Sequence, residues 1–441
     1  MKPKKPDNHP DLFLSQLSRI LNLSHPLCRL AEQINWRRIE QDIDTVYRSG
    51  PGQPALPTRL LVGLHYLKYT FNESDESVVE RWVENPYWQY FCGYQHLQHE
   101  LPLHPTSLVK WRHRIGDKLN VLLEETIKVA LETKVLKSTA LKHVNVDTTV
   151  QEKAIAFPTD ARLYQKMRVT LVREAQHRGI ALRQNFRCVG KKAFIMQSRY
   201  ANARQMKRAA RQVRHLKTYL GRVTRDIERK AAASDEPMQV LLARAKCLLN
   251  QQRHDKNKLY SVHEPTVRCI AKGKAHKRYE FGAKASFVTT SQGNWLVSAQ
   301  SLTNNPYDGH TLAAALQQTQ KLTGFTPQFA YCDQGYRGHG VKGETKVQIV
   351  GKIPKRAKAS LRRWMKRRTA IEPTIGHLKS DHRLNRNYLK GEVGDKANVI
   401  LAAAAYNLAK LLAWFFCVHR IRQIFRLWSG LFQDKYLTVL A

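Results

Sequence analysis

The chain has 441 residues, 42% hydrophobic and 25% charged, which excludes wholesale disorder and leaves room for roughly two to four domains with buried cores. Its 74 Lys+Arg against 35 Asp+Glu give a formal net charge of +39. Counterion release rewards such a surface on a polyanion, so a nucleic acid is the first partner to expect. The seven cysteines are scattered with no Cys-x-x-Cys pair, which argues against a zinc site or disulfide framework and suits a reducing cytosol.

No apolar stretch follows the charges of Met1–Pro10, so this is not expected to be a signal peptide. Leu12, Leu14, Leu17, Ile20 and Leu21 repeat at helical spacing, which opens an N-terminal helical segment over 1–50. Pro51-Gly52-Gln53-Pro54 reads as a linker. A helical block over 51–140 follows, with one helix from Leu60 to Phe71 and another capped at Ser74 through Ser77. A further helix starts near Pro105 and carries Lys110, Arg112 and Arg114. Short helices in series ending in a basic one are what a helix-turn-helix offers a groove. Leu108 and Trp111, three apart, are expected to seat that helix in a core.

From His143 the pattern changes to strands, predicted over 143–149, 279–290, 294–301, 328–333 and 346–351, with helices near 309–321, 358–380 and 395–416. This order has the connectivity of an α/β ribonuclease-H-like catalytic domain, built from 141–161 and 262–418. A long helical insertion, 162–261, interrupts it. Residues 162–260 hold 25 Lys and Arg against 6 Asp and Glu. The stretch Ala201–Arg211 reads as continuous helix on to Lys230, with a turn at 231–237 between two arms. An excess of that size asks for a nearby polyanion, and Arg204, Lys207, Arg208 and Arg211 are its DNA-binding candidates. The run Val399–Val418 has membrane-span length but holds Asn407, Lys410 and four consecutive alanines, so a buried helix of a soluble domain is expected. Residues 419–441 remain as a tail.

Three acids stand out. Asp147 and Asp333 lie in or at the end of strand-like apolar runs, where an unpaired charge is costly. In the predicted topology the first and fourth strands are neighbours, and the helix after the last strand brings Glu372 to both. Three convergent carboxylates would hold two Mg2+ ions, with Mn2+ as a substitute, ~3.5–4 Å apart for phosphoryl transfer. Asp160 and Asp308 stand at helix starts, where capping is the default role. Arg368, Glu372 and Lys379 share one helix face by spacing, although Pro373 obliges the helix to kink at Glu372 or to begin there.

The motifs Asn145–Val150, Asp308–Leu312, Tyr331–Gly338 and Arg368-x3-Glu372-x6-Lys379 stand in an order that resembles the DDE transposases of bacterial insertion sequences. The insertion-sequence-5 family is the most similar group. The resemblance implies that Asp147, Asp333 and Glu372 form the catalytic, metal-binding triad, and that Arg368, Lys379 and Arg337 face DNA. The family signature has a tyrosine three residues before the arginine, and this chain has Met365. The implied protein binds the terminal inverted repeats of its element, cuts there and joins the 3′-ends to target DNA. It would act in the bacterial cytoplasm at the nucleoid, as a homodimer or larger assembly on double-stranded DNA, without a membrane. The alternatives are a catalytically inactive DNA-binding derivative and a ribonuclease-H-like nuclease that cuts without joining.

Overall fold

The computed structural model describes residues 15–47, 54–271, 278–351 and 358–437, with side chains of the last helix described to Ile421. Leu12, Leu14 and residues 51–53 of the expected linker lie outside these ranges, as does the 438–441 end of the expected tail. The chain starts with α1 (Leu17–Ile20), α2 (Pro26–Gln33), α3 (Trp36–Asp44) and α4 (Thr58–Thr70). Next are α5 (Asp75–Glu84), α6 (Pro86–Phe91), α7 (Thr106–Ile115) and α8 (Asn120–Glu132). Strand β1 (His143–Lys153) leads to helices α9 (Asp160–His177), α10 (Arg187–Asn202), α11 (Met206–Lys230) and α12 (Glu236–Asn250), then to β2 (Arg268–Ala271). Then follow β3 (Tyr279–Thr290), β4 (Leu296–Leu302), α13 (Asp308–Thr323), β5 (Phe329–Cys332) and β6 (Lys346–Ile349). The chain ends with α14 (Ala359–Arg367), α15 (Ile371–Ser380), β7 (Arg386–Asn387) and α16 (Gly391–Leu437).

Two compact units result, one of residues 1–151 with 284–441 and the other of 152–283. In the first, the sheet runs β3-β1-β5-β6, with β4 antiparallel on β3 and β7 on β1. Strands β1 and β5 are parallel, with His143 opposite Phe329 and Asn145 opposite Tyr331. The expected neighbours are therefore neighbours. Strand β7 was not expected, because its two residues are too short for any periodicity to show.

Helices α2 to α8 do not form a module apart from this sheet. One apolar cluster joins Leu67, Trp82 and Leu123 to Val146 and Phe287, and includes Ala402 to Ala405 on α16. The domain borders expected at 51 and 141 are corrected accordingly. The physical reason is α16, which packs on α2, α4, α8 and β4; its alanines allow close approach along its length. Over Gly391–Ile421 this helix is long and apolar enough to cross a membrane. Here Asn407 is fully buried and bonds both backbone groups of Leu296 and the Thr126 hydroxyl, as in a core helix. It also runs on to Leu437, so 419–437 is helix where a tail was expected.

The second unit has its own core, with Leu171, Leu216, Leu220, Ile227 and Leu248 fully or almost fully buried. It holds four helices where two arms were expected, together with β2 antiparallel to the start of β3. The stretch read as continuous breaks at residues 203–205, and Arg204 sits in the break with φ 57°. Runs of Ala, Arg and Gln favour helix everywhere, so propensity gives no sign of where tertiary packing interrupts one. Arg204, Lys207, Arg208 and Arg211 are all exposed. A turn is present at 231–235, where 231–237 was expected, and Asp235 caps α12 on the Met238 N–H.

Candidate active site

The side chains of β1 alternate, so His143, Asn145 and Asp147 face one side of the sheet. Continuing the β1–β5 register by two residues sets Asp147 opposite Asp333. Asp333 directly follows β5 and caps the 3-10 turn Gln334–Tyr336, its Oδ1 accepting from the Gly335 N–H at 3.0 Å. A side chain at 335 would crowd Asp333 at 3.1 Å and Asp308 at 3.3 Å, so glycine keeps the two acids close. Asp147 Oδ1 accepts from the Thr148 N–H at 2.7 Å.

The third acid arrives through a break in the following helix. Helix α14 ends at Arg367, a 3-10 turn covers Arg368–Ala370, and α15 begins at Ile371. Of the two outcomes open for Pro373, the helix begins there: proline in a first turn has no intrahelical bond to lose. Glu372 thus stands in the first turn of α15 and Arg368 on the turn before it.

Arg368 is the hub. One of its terminal nitrogens lies 2.8 Å from Asp147 Oδ2 and 3.6 Å from Asp333 Oδ2, and the other lies 3.0 Å from Glu372 Oε1. The three acids named from the sequence therefore converge from β1, β5 and α15 on a single guanidinium. Exposure grades across them, with side-chain values of 15% for Asp147, 42% for Asp333 and 62% for Glu372, against 10% for Arg368. Arg368, expected to face DNA, is here buried against the acids. Among the described residues no three Asp, Glu, His or Cys side chains are grouped to hold a metal as they stand; the guanidinium lies within 3.6 Å of each of the three acids. Lys379 is half-buried and Arg337 exposed.

Asp308 lies beside this group. It begins α13, but the cap position, Tyr307, makes no side-chain capping bond, and Asp308 Oδ1 accepts from Lys284 at 2.9 Å and Thr148 Oγ1 at 2.8 Å. The capping role expected of it is corrected: a buried lysine drew the carboxylate inward. At the other helix start Thr159, not Asp160, is the cap. Lys284 and Thr148 were not named from the sequence. A lysine within the apolar run of β3 was the available signal, since buried lysines need partners.

Tyr336 was also missed. It is fully buried and its hydroxyl has no partner. Burial first, then the charges of Asp147, Asp308 and Asp333, push its pKa up, so the ring stays a neutral hydrogen-bond donor. Arg368 Nε is likewise buried without a partner. Buried polar atoms of this kind call for a bound group or water. Met365 is buried where the signature tyrosine would stand, while Trp364 stacks on His143 at 4.0 Å and 5°.

The basic helix of the N-terminal block fares differently. Leu108 and Trp111 are buried as expected, and Lys110 and Arg114 are exposed. Arg112 is 3% exposed and grips Asp75 with two bonds, 2.7 and 2.6 Å. Its assignment as a DNA reader is corrected: the guanidinium belongs to a core ion pair that Lys68 completes at 2.7 Å. Nor does Pro105 provide a side-chain cap.

Residues 15–114 match the family described as Transposase domain (DUF772), and residues 253–408 match the Transposase DDE domain. An uncharacterized protein, ORF8 in the nfe locus of Rhizobium meliloti, is 49% identical over 207 residues, which is 46% of this chain and 100% of that one. No solved structure matches. The chain belongs to the DDE transposases of insertion sequences. This family implies a ribonuclease-H-like fold and a nucleic-acid-processing enzyme that uses divalent metal. Asp333 and Glu372 lie within the second match; Asp147 falls between the two, so its place rests on geometry.

The donor set fits such a metal. Carboxylate oxygens of three side chains already surround one cationic group, the hard oxygen set that a divalent ion takes.

Proposed function

We propose that this transposase, of the insertion-sequence-5 kind by its motifs, binds the terminal inverted repeats of its element and catalyses both cleavage and strand transfer. The observation that carries the reading is the convergence of Asp147, Asp333 and Glu372 on Arg368. Those acids would hold two Mg2+ ions, whose chemistry is to neutralise the charge on attacking and leaving oxygens of an in-line displacement. Arg368, relieved of the carboxylates, is then free to hold a flanking phosphate through two parallel bonds, with Lys379 and Arg337 on the same strand. The neutral Tyr336 hydroxyl, unpartnered here, is a donor available to a group bound at the acids. Lys284 holds Asp308 out of the ligand set.

Incubating the full-length protein with Mg2+, terminal-repeat DNA and a supercoiled target tests this. Joined products are expected. Cut ends without joining would leave a nuclease, and binding alone would leave an inactive derivative; either result rejects strand transfer. The protein is read as a homodimer or larger assembly on DNA.

The basic face of the second unit is proposed to follow the DNA backbone. Replacing Arg204, Lys207, Arg208 and Arg211 with Ala should weaken binding irrespective of sequence. The slope of log K against log salt should become shallower by about 0.9 for each phosphate that is no longer neutralised. An unchanged slope would leave these side chains as a solvated face.

A further inference from the structure

Away from the acids, the second unit holds a cavity of about 420 Å³ between the 183–186 segment and α11. Arg183, Arg222, Arg225 and Arg229 line it around Phe186, together with Asp226. Three of those arginines stand three and four residues apart on α11, so their charges share one helix face and repel. The acid in the lining offsets one of them, lying 3.8 Å from Arg229. Asp226 accepts the Arg183 backbone N–H at 2.9 Å and lies 3.1 Å from Lys230. Among the described residues the guanidinium groups of Arg183, Arg222 and Arg225 have no carboxylate partner. Such a grouping is stable beside an anion and costly without one.

The cavity also has an aromatic wall. Phe186 is half-buried and stacks on Tyr219 with centroids 4.8 Å apart and planes 12° from parallel. Tyr219 itself packs against the core of the unit, so the outer ring is fixed. Phe186 adopts φ 52°, a left-handed conformation that bulky residues avoid. The fold holds this ring in place despite the strain, and such outliers gather at binding sites.

We propose that the cavity receives one unpaired nucleotide of DNA, its base stacked on Phe186 and its phosphates on the arginines. The volume lies in the usual range of small-ligand sites, roughly 300–1,000 Å³, and a rigid ring beside guanidinium groups is the chemistry that takes bases without regard to sequence. The proposal rests on the DNA-binding reading above and deepens it: the second unit would distinguish a distorted or opened duplex from a paired one.

The test uses the full-length protein without divalent metal and two labelled duplexes, one fully paired and one with a single bulged 2-aminopurine nucleotide. Anisotropy should show the bulged duplex bound about tenfold more tightly, with the 2-aminopurine emission quenched on binding. Phe186→Ala should bring the two affinities within about twofold, and Phe186→Trp should keep the preference. Arg222→Gln with Arg225→Gln, both at exposed positions, should weaken binding of the bulged duplex more than of the paired one. Equal affinities for wild type, or a preference that survives in Phe186→Ala, would overturn the cavity alone. Failure to bind either duplex would overturn it together with the DNA-binding reading.

Discussion

Glu372→Gln in the full-length protein is expected to lower metal-dependent DNA cleavage by about a thousandfold, some 4 kcal/mol on the barrier, with little change in DNA binding. It is the cleanest of the three acid substitutions, because a side chain 62% exposed supports nothing in the core. Asp147→Asn and Asp333→Asn should match it in rate. Asp147→Asn also removes the negative charge that pairs with Arg368 at 2.8 Å, so its melting temperature should be followed alongside. Isothermal titration with Mn2+ gives a readout independent of turnover: each substitution should weaken metal uptake. A variant that cuts at the wild-type rate would remove that residue from the triad.

Arg112→Ala is expected to destabilise the fold by about 3 kcal/mol, the usual cost of leaving one half of a buried ion pair behind. The partner left is Asp75, which keeps only Lys68. Burial alone would raise the Asp75 pKa, but the Arg112 bonds and the charges of Lys68 and Arg112 outweigh it and hold the carboxyl well below the usual range. A depressed carboxylate contributes stability above the unfolded value, ~3.9, and loses it as pH falls toward the folded value. The gap in stability between wild type and Arg112→Ala should therefore be full at neutral pH and shrink below about pH 3.9. Urea melts at pH 7 and pH 3 measure it. If the variant melted like wild type and yet lost its preference for terminal-repeat DNA, Arg112 would be a reader after all.

The N-terminal block shows why that assignment failed. Lys110, Arg112 and Arg114 alternate along a basic stretch, and sequence spacing correctly placed Leu108 and Trp111 inward. The position of Arg112 beside the buried face was equally visible. What was not visible was Asp75, 37 residues away, nor the clustering of His65, Lys68 and Arg112 around it. A charged residue near a core face faces solvent unless a partner waits inside, and only tertiary structure shows the partner.

The acid group was legible for the opposite reason. Asp147 and Asp333 sit in runs so apolar that a lone charge there demanded an explanation, and parallel pairing of β1 with β5 followed from strand order. The same local logic gave the core role of α16, where four alanines and Asn407 are a poor membrane span but a good packed helix. Propensity alone could not show the break at Arg204, because helix-forming residues continue through it.

By itself, then, the sequence determined the charge excess that favours a polyanion, the order of β1, β3, β4, β5 and β6, and which three acids converge, since charge excess, periodicity and buried-charge cost are local or additive quantities. Only the tertiary structure decided that Arg368 stands at their centre, that Lys284 takes Asp308, that Tyr336 is left with an unpartnered hydroxyl, and that the N-terminal helices and the sheet share one core. Each of those depends on which distant side chain meets a buried charge or an apolar face, and long-range pairing of that kind leaves no periodic trace in the chain.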